Sequence, residues 1–130
     1  VRVPSDLHVY VDRSRMRQVL ANLVDNAIKY TPAGGHVVLQ AFRDESAVCI
    51  AVEDDGIGID AEAQPRIWDR LYRADESRSA QGLGLGLSLV KAIVEAHGGR
   101  VDVESTAGTG SIFTVCLPDA AHAEGRARRT

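Results

Sequence analysis

The sequence predicts an α/β fold of the α+β two-layer type, with three helices on one face of a mixed, mostly antiparallel sheet of about five strands. Two segments carry apolar residues at helical spacing, and several short runs rich in strand-forming residues alternate with turn sequences. The chain of 130 residues is long enough for one hydrophobic core and too short for two ordinary domains. Its 45% hydrophobic and 25% charged residues argue against disorder.

The first half of the chain predicts a strand, a long helix and a hairpin. Residues 7–11 alternate and are rich in strand formers, which predicts a short strand. Residues 13–30 follow Asp12, a suitable N-cap, and carry apolar side chains at helical spacing until the turn sequence 31–35. Strands are predicted at 36–42 and 47–53, because the polar turn 43–46 joins two apolar runs.

The second half predicts two helices, two strands and a tail. A short helix is expected at about 60–68, followed by residues 69–86, which lack a clean period and are long enough to suggest a functional or mobile loop. Residues 87–96 are again helical, and strands are predicted at 100–105 and 111–117. We expect one domain over residues 1–119, cut from a longer protein because the chain opens without Met, and a disordered tail over 120–130.

Composition excludes several classes of protein. The net charge of −3 argues against a generally basic nucleic-acid binder, and no apolar run reaches the roughly 18 residues of a membrane span. Cys49 and Cys116 lie in apolar, strand-like runs without metal-ligand spacing, so we expect buried free thiols in a reducing compartment, not a disulfide or a zinc site. The four histidines are scattered and predict no metal site.

One edge of the long helix carries functional side chains. At about 100° per residue, Asn22, Asn26, Lys29 and Tyr30 share a stripe beside the apolar face. Asparagine is a poor helix former, so two of them within one helix need an explanation. Taken alone, this stripe is more simply explained by solvent exposure or by contacts with a neighbouring loop.

Two glycine-containing segments add to this pattern. Asp54 directly follows a strand, and a carboxylate there can accept a hydrogen bond from the amino group of a purine, although a plain acidic turn is the alternative. Glycines let the backbone approach a flat ring. Glycine and leucine then alternate before the last helix, at Gly82, Leu83, Gly84, Leu85, Gly86 and Leu87. This helix start offers backbone N–H groups to an anion, or else forms a flexible hinge.

Together and in this order, these segments resemble the ATP-binding catalytic domain of bacterial two-component sensor histidine kinases, in the superfamily shared with gyrase-type and chaperone-type ATPases. Residues 22–30 match its asparagine box, 54–59 its first glycine box and 82–87 its second. Residues 67–75 look like the aromatic segment before a mobile ATP lid, and 108–113 also fit. Trp68 and Leu71 depart from the usual phenylalanines, and Asp55 and Leu83 replace residues that are often asparagine and small polar residues.

The resemblance implies a site for ATP and Mg²⁺. Asn26 would coordinate Mg²⁺ through its amide oxygen, and Asn22 would support the same region. Lys29 would contact a phosphate group and Tyr30 would stack on the adenine ring. Asp54 would accept a hydrogen bond from the adenine amino group.

Further residues would complete the nucleotide site and the catalytic set. The base pocket would be shaped by Gly56, Gly58 and Ile59. The phosphate loop would comprise residues 82–87. Arg73 and Arg78, in the lid, would reach the terminal phosphate and act with Asn26 and Lys29 in phosphoryl transfer.

The resemblance also bears on the reaction. In the ATPase relatives and in anti-sigma-type serine kinases, the residue four positions before the magnesium asparagine is typically a glutamate that acts as a base. In this sequence that position is Asn22, which cannot take a proton. Histidine phosphorylation does not need that base, because imidazole is itself a nucleophile. We therefore expect a histidine protein kinase domain. The alternatives are an anti-sigma-type serine kinase and a nucleotide-binding module without transfer activity.

The implied partners lie outside this sequence. The acceptor histidine of the family is followed by an acidic residue on a dimerisation domain, and none of His8, His36, His97 and His122 has such a neighbour. We expect transfer to that separate domain, a response regulator as the next partner, and no nucleic acid. The isolated domain is expected to be monomeric and cytoplasmic, within a homodimeric, membrane-anchored parent.

Overall fold

The computed structural model of the chain describes Val9 and residues 11–69 and 86–119. Within these ranges the sheet has four strands in the order β1-β2-β4-β3, with every neighbouring pair antiparallel. The elements are α1 (Arg13–Lys29), β1 (Val37–Asp44), β2 (Ala47–Asp54), a 3₁₀ turn (Gln64–Arg66), α2 (Gly86–Ala96), β3 (Arg100–Thr106) and β4 (Gly110–Pro118). The predicted α+β class is confirmed, with small differences in the number of strands and helices.

The helix α1 begins and packs as its sequence predicts. Asp12 caps it, since its carboxylate accepts a hydrogen bond from the Arg15 backbone N–H at 3.0 Å. The apolar spacing places one stripe of the helix in the core, and the buried members are Met16, Val19, Leu23 and Ala27.

The helix α2 completes the helical layer with a second buried stripe of Val90, Ile93 and Val94. The sheet contributes alternate residues such as Val52, Phe113 and Val115 to the same core. His97, just after α2, joins the two helices: its Nδ1 lies 2.8 Å from the Ile93 carbonyl oxygen, and its Nε2 accepts the Asp12 backbone N–H at 3.2 Å. The Nδ1–H tautomer satisfies both hydrogen bonds.

Two predicted elements differ from the structure or lie beyond it. The short helix expected at 60–68 is only a 3₁₀ turn, Gln64–Arg66, flanked by turns. Pro65 has no backbone N–H to donate, which limits longer helical bonding there. The strand expected at 7–11 lies mostly outside the described residues, and its described members, Val9 and Val11, are not in a strand but pack against the core.

The cysteine prediction is half wrong. Cys49 and Cys116 are buried, at 1% and 5% exposure, but they form a disulfide. The cause is register: Cys49 on β2 lies directly opposite Cys116 on β4, on the sheet face away from the helices. A sequence separation of 67 residues gives no indication of this pairing, because the register of two strands is a tertiary property.

The described helices carry no membrane span. Neither combines the length and the apolar character that a bilayer crossing requires.

Candidate functional site

Three chain segments meet at one end of the sheet. The loop that follows Asp54 passes between the C-terminus of α1 and the β3–β4 turn. The Ile57 backbone N–H donates to the Tyr30 carbonyl oxygen at 3.1 Å, and the Ile57 carbonyl oxygen accepts the Gly108 N–H at 2.7 Å. Ile57 thus fixes the loop to both neighbours through backbone groups, while 52% of its own surface stays exposed.

Asp54 places a carboxylate at this junction. It is the last residue of β2, is only 5% exposed, and lies opposite Ser111 of β4. Its Oδ1 accepts the Gly56 backbone N–H at 2.9 Å. Burial raises the pKa of Asp54 above its ordinary value of 3.8, and the negative charges of Asp55 and Glu53 act in the same direction, whereas hydrogen bonds from the Gly56 and Ser111 backbone lower it. The result is a buried hydrogen-bond acceptor beside the loop.

Two constraints require a glycine at position 58, the backbone conformation and the lack of room for a Cβ. Its φ of +72° lies in the left-handed region, and an added Cβ would collide with the Thr106 carbonyl oxygen. At Gly56 the constraint is space alone, since a Cβ would collide with the Tyr30 carbonyl oxygen. These glycines therefore let the loop lie directly against α1 and the β3–β4 turn, and Ile59, which follows them, packs partly against the core.

The helix stripe predicted from the sequence lies next to this loop. Asn22, Asn26, Lys29 and Tyr30 are all half-buried, and the Lys29 ammonium is 5.6 Å from the centre of the Tyr30 ring. Asn22 reaches the second helix, where its Nδ2 donates a long hydrogen bond of 3.5 Å to the Gly86 carbonyl oxygen. The structure thus brings the asparagine edge of α1 together with the start of α2 on one side and with the Asp54 loop on the other.

The second glycine segment is described only at its end. Gly86 and Leu87 are the first residues of α2; Gly86 is exposed and Leu87 packs partly against the core. The other predicted residues of the phosphate loop and lid lie outside the described residues, namely Arg73, Arg78, Gly82, Leu83, Gly84 and Leu85. Their roles stay predictions.

Sequence reasoning missed one polar pair beside the loop. The Asp55 carboxylate accepts the His36 backbone N–H at 2.7 Å and lies 3.1 Å from His36 Nδ1. These hydrogen bonds, together with the positive charge of a protonated His36, lower the pKa of the Asp55 carboxyl group. The pair joins residues 19 positions apart at the open end of the β1–β2 hairpin, a contact with no local sequence signal.

A second missed group lies on the other side of the loop. This group connects the 3₁₀ turn to the end of β3 and the start of β4, and its members are Gln64, Ser105 and Ser111. Ser105 and Ser111 can be found once the register of β3 and β4 is known, because they lie opposite each other. Gln64 has no such signal.

Comparison with known proteins places this site in a family. Residues 11–121 match the family described as histidine kinase-, DNA gyrase B-, and HSP90-like ATPase. The chain belongs to this family. The match contains α1, the Asp54 loop and both glycine segments, so the resemblance predicted from the sequence is confirmed.

Named relatives within the family are sensor histidine kinases. The chain is 41% identical to sensor histidine kinase WalK of Bacillus subtilis over 117 residues, which cover 87% of this chain and 19% of WalK. Of the solved structures, the mycobacterial sensor histidine kinase MprB superposes with a TM-score of 0.81 at 29% identity over 92% of this chain and 82% of that one. Full-length ShkA, solved in complex with AMPPNP, superposes with a TM-score of 0.80 at 34% identity over 92% of this chain and 25% of ShkA. The chain therefore spans only a minor part of the full-length kinases it matches.

The donor set on α1 suits a hard divalent cation. Asn26 offers an amide oxygen, and Mg²⁺ commonly uses one or two protein oxygens together with waters and substrate phosphates. In the part of the chain that the structure describes, no cluster of three or more His, Cys, Asp and Glu residues could hold a metal by itself. That Asn26 holds Mg²⁺ stays a prediction.

Proposed function

We propose that the domain binds Mg-ATP between α1, the Asp54 loop and the start of α2, and donates the γ-phosphoryl group to a histidine. The observation that carries this proposal is the buried Asp54 carboxylate, whose following loop hydrogen-bonds to the Tyr30 backbone, next to the half-buried edge of α1 that carries Asn22 and Asn26. A carboxylate at this position would accept a hydrogen bond from the 6-amino group of adenine. Guanine carries a carbonyl oxygen there, so Asp54 would favour ATP over GTP.

The remaining residues would each bind a different part of the nucleotide. Tyr30 would stack on the adenine ring, and Lys29, whose ammonium lies near the Tyr30 ring, would extend to a phosphate. Asn26 would hold Mg²⁺, which supplies positive charge beside the phosphates when it is bound. Arg73 and Arg78 are proposed to neutralise charge on the transferred group, as phosphoryl transfer requires.

Asn22 supports histidine as the acceptor over serine or water. It lies one helical turn before Asn26 and donates its amide to Gly86. An amide cannot accept a proton at neutral pH, so Asn22 would not activate a serine hydroxyl or a water molecule. Imidazole needs no such activation.

The wider organisation is also a proposal. We infer that residues 1–119 form the catalytic domain of a longer, homodimeric and membrane-anchored sensor kinase, with this domain in the cytoplasm and residues 120–130 as a tail. The acceptor histidine would lie on the dimerisation domain of that kinase, and a response regulator would take the phosphoryl group from it. Among the relatives, WalK is about five times as long as the matched segment, since that segment spans 19% of its length.

Calorimetric titration tests nucleotide binding. ATP is titrated with and without Mg²⁺ into the wild type, Asn26→Ala and Asp25→Ala, an exposed neighbour on α1 that serves as the control. We expect Mg²⁺-dependent binding of ATP over GTP in the wild type and the control, weakened at least tenfold in Asn26→Ala by the loss of a charge-assisted contact. Binding that is indifferent to Asn26, or equal for ATP and GTP, would contradict the proposed site.

A transfer assay tests the acceptor. The domain is mixed with Mg-ATP labelled at the γ-phosphate, with or without the dimerisation domain of the same kinase. We expect acid-labile label on the dimerisation domain alone. Label on His8, His36, His97 or His122 of this chain, or acid-stable label on serine, would contradict histidine transfer to a separate domain.

A further inference from the structure

The side-chain amide of Gln64 bridges two segments of the site. Its Nε2 donates to the Ile59 carbonyl oxygen and to the Ser105 carbonyl oxygen, both at 2.9 Å. Ile59 ends the loop that follows Asp54, and Ser105 lies near the end of β3. The NH₂ group has two hydrogens, and each of them binds one of these carbonyl oxygens. The amide therefore fixes the distance between the loop and the strand.

The Ser105 hydroxyl forms a second link between the same segments. Its Oγ accepts the Ile59 backbone N–H at 2.7 Å, donates to the Gly110 carbonyl oxygen at 2.9 Å, and lies 2.8 Å from the Ser111 hydroxyl. With its one hydrogen directed to Gly110, Ser105 can accept the hydrogen of Ser111 as well, so all these contacts form together. We refer to Gln64 and Ser105, with their contacts to Ile59, as the Gln64–Ser105 clamp.

The clamp leads to the Asp54 carboxylate. Ser111 pairs with Asp54 across β2 and β4, and its backbone hydrogen-bonds to the carboxyl group of Asp54. Gly110, the other partner of Ser105, contacts the Asp54 backbone so closely that an added Cβ would overlap the Asp54 carbonyl oxygen. The clamp therefore holds the loop at Ile59 and, through Ser105, holds the start of β4 against Asp54.

The clamp is also well placed to be rigid. Both clamp residues and Ile59 are half-buried, and Ile59 packs partly against the core. Hydrogen bonds that are shielded from water lose less to competition with solvent than exposed ones do. Gln64 itself lies at the start of the 3₁₀ turn Gln64–Arg66, outside the segments predicted to contact nucleotide.

We infer that Gln64 and Ser105 are positioning residues that set the adenine selectivity of this site, an inference that rests on the proposed function. Neither is among the residues proposed to contact the nucleotide. They hold the loop between Asp54 and Ile59 at the spacing that one adenine ring requires, so that the Asp54 carboxylate meets the 6-amino group in register. Without the clamp the loop can shift by the fraction of an ångström that degrades such a hydrogen bond.

Three variants and one control test the clamp. Gln64→Met keeps the side-chain length and removes both donors, and Gln64→Glu keeps the shape but presents only acceptor oxygens to two carbonyl groups. Ser105→Ala removes the acceptor of the Ile59 N–H. If the Gln64 variants do not fold, this variant still tests whether the clamp sets base selectivity. Gln18→Met, at an exposed position of α1, makes the same chemical change away from the clamp.

The readouts separate positioning from stability. The dissociation constants of ATP, ADP and GTP are measured by calorimetry at a temperature where unfolding curves show each variant to be folded. We expect Gln64→Met, Gln64→Glu and Ser105→Ala to weaken the binding of ATP and ADP by about tenfold and to reduce the preference for ATP over GTP, since each Gln64 variant loses two hydrogen bonds behind the base and Ser105→Ala loses three. The ratio of ATP to ADP affinity should stay unchanged, because the phosphates are not involved.

The outcomes are distinct. A wild-type domain that binds neither ATP nor ADP overturns the proposed function and this inference with it. A wild type that binds ATP, together with clamp variants that melt at lower temperature but keep the wild-type ATP affinity and ATP-to-GTP ratio, overturns this inference alone. Equal losses in Gln18→Met would also overturn it. A loss of base selectivity confined to the clamp variants supports it.

Discussion

Gly58→Ala should damage the site in two ways, through a strained backbone conformation and through overlap of the new Cβ with the neighbouring turn. Gly58 has a φ of +72°, and a left-handed conformation costs a residue with a Cβ about 1–2 kcal/mol. The new Cβ would also overlap the Thr106 carbonyl oxygen and come within 3.0 Å of the Ala107 Cα, so the loop or the turn must move. Overpacking of this kind costs about 1–3 kcal/mol more. We expect Gly58→Ala to lower the free energy of unfolding by about 2–5 kcal/mol.

Gly108→Ala is the matched control, because it changes only one of these two factors. Gly108 lies in the turn that the loop contacts and has a φ of +83°, but among the described residues no atom outside its chain neighbours lies within 4 Å of an added Cβ. Its N–H, which donates to Ile57, is kept. Gly108→Ala should therefore cost about 1–2 kcal/mol, the conformational part alone.

Urea denaturation and nucleotide titration measure the two consequences. The difference in unfolding free energy between the variants isolates the overlap at Thr106, and a loop displaced by that overlap should bind ATP at least tenfold more weakly in Gly58→Ala than in Gly108→Ala. Equal stabilities for the two variants would show that the overlap with Thr106 does not destabilise the domain, and would refute this part of the prediction. A Gly58→Ala protein that is destabilised but binds ATP like Gly108→Ala would refute the link between this contact and the base pocket.

Two further predictions concern titration and the disulfide. Because the pKa of Asp54 is raised, its native state binds the proton more tightly than the unfolded chain, so its contribution to stability falls as pH rises from about 3.8 through the native pKa. Asp54→Asn should therefore gain stability relative to the wild type as pH rises through that window in urea titrations, and a constant difference would contradict this. Reduction of Cys49–Cys116 should lower the free energy of unfolding by up to about 4 kcal/mol, because the disulfide closes a loop of 67 residues. Denaturation with and without dithiothreitol measures the loss, and Cys49→Ser with Cys116→Ser should show none on reduction.

Local sequence signals could predict much of the fold. The apolar spacing of α1 and its Asp12 cap are properties of neighbouring residues, and the structure reproduces them almost to the residue. The predicted hairpin over residues 36–53 formed for the same reason, since two strand-like runs flank a polar turn. The prediction of a helix at 60–68 was wrong. The carboxylate of Asp60 is typical of a helix start, but Pro65 limits the structure to a 3₁₀ turn.

Contacts between distant residues could not be predicted in this way. Cys49 faces Cys116, and Gln64 reaches Ser105, only because strand register and loop packing bring them together. The candidate site shows the same division. Asp54 and the α1 stripe are recognisable from motifs, but the reason for Gly58 is an approach to Thr106 that lies 48 positions further along the chain.

Asp54 is better explained by ligand binding than by folding. A carboxylate that is 5% exposed and carries a raised pKa destabilises the folded state at neutral pH, even with backbone donors from Gly56 and Ser111. An asparagine there could keep an accepting oxygen at Gly56 without the charge. A residue that lowers stability where it lies is expected at a functional site, where activity and stability oppose each other. If Asp54→Asn both stabilises the domain at neutral pH and loses its preference for ATP over GTP, a requirement for adenine recognition accounts for the buried charge.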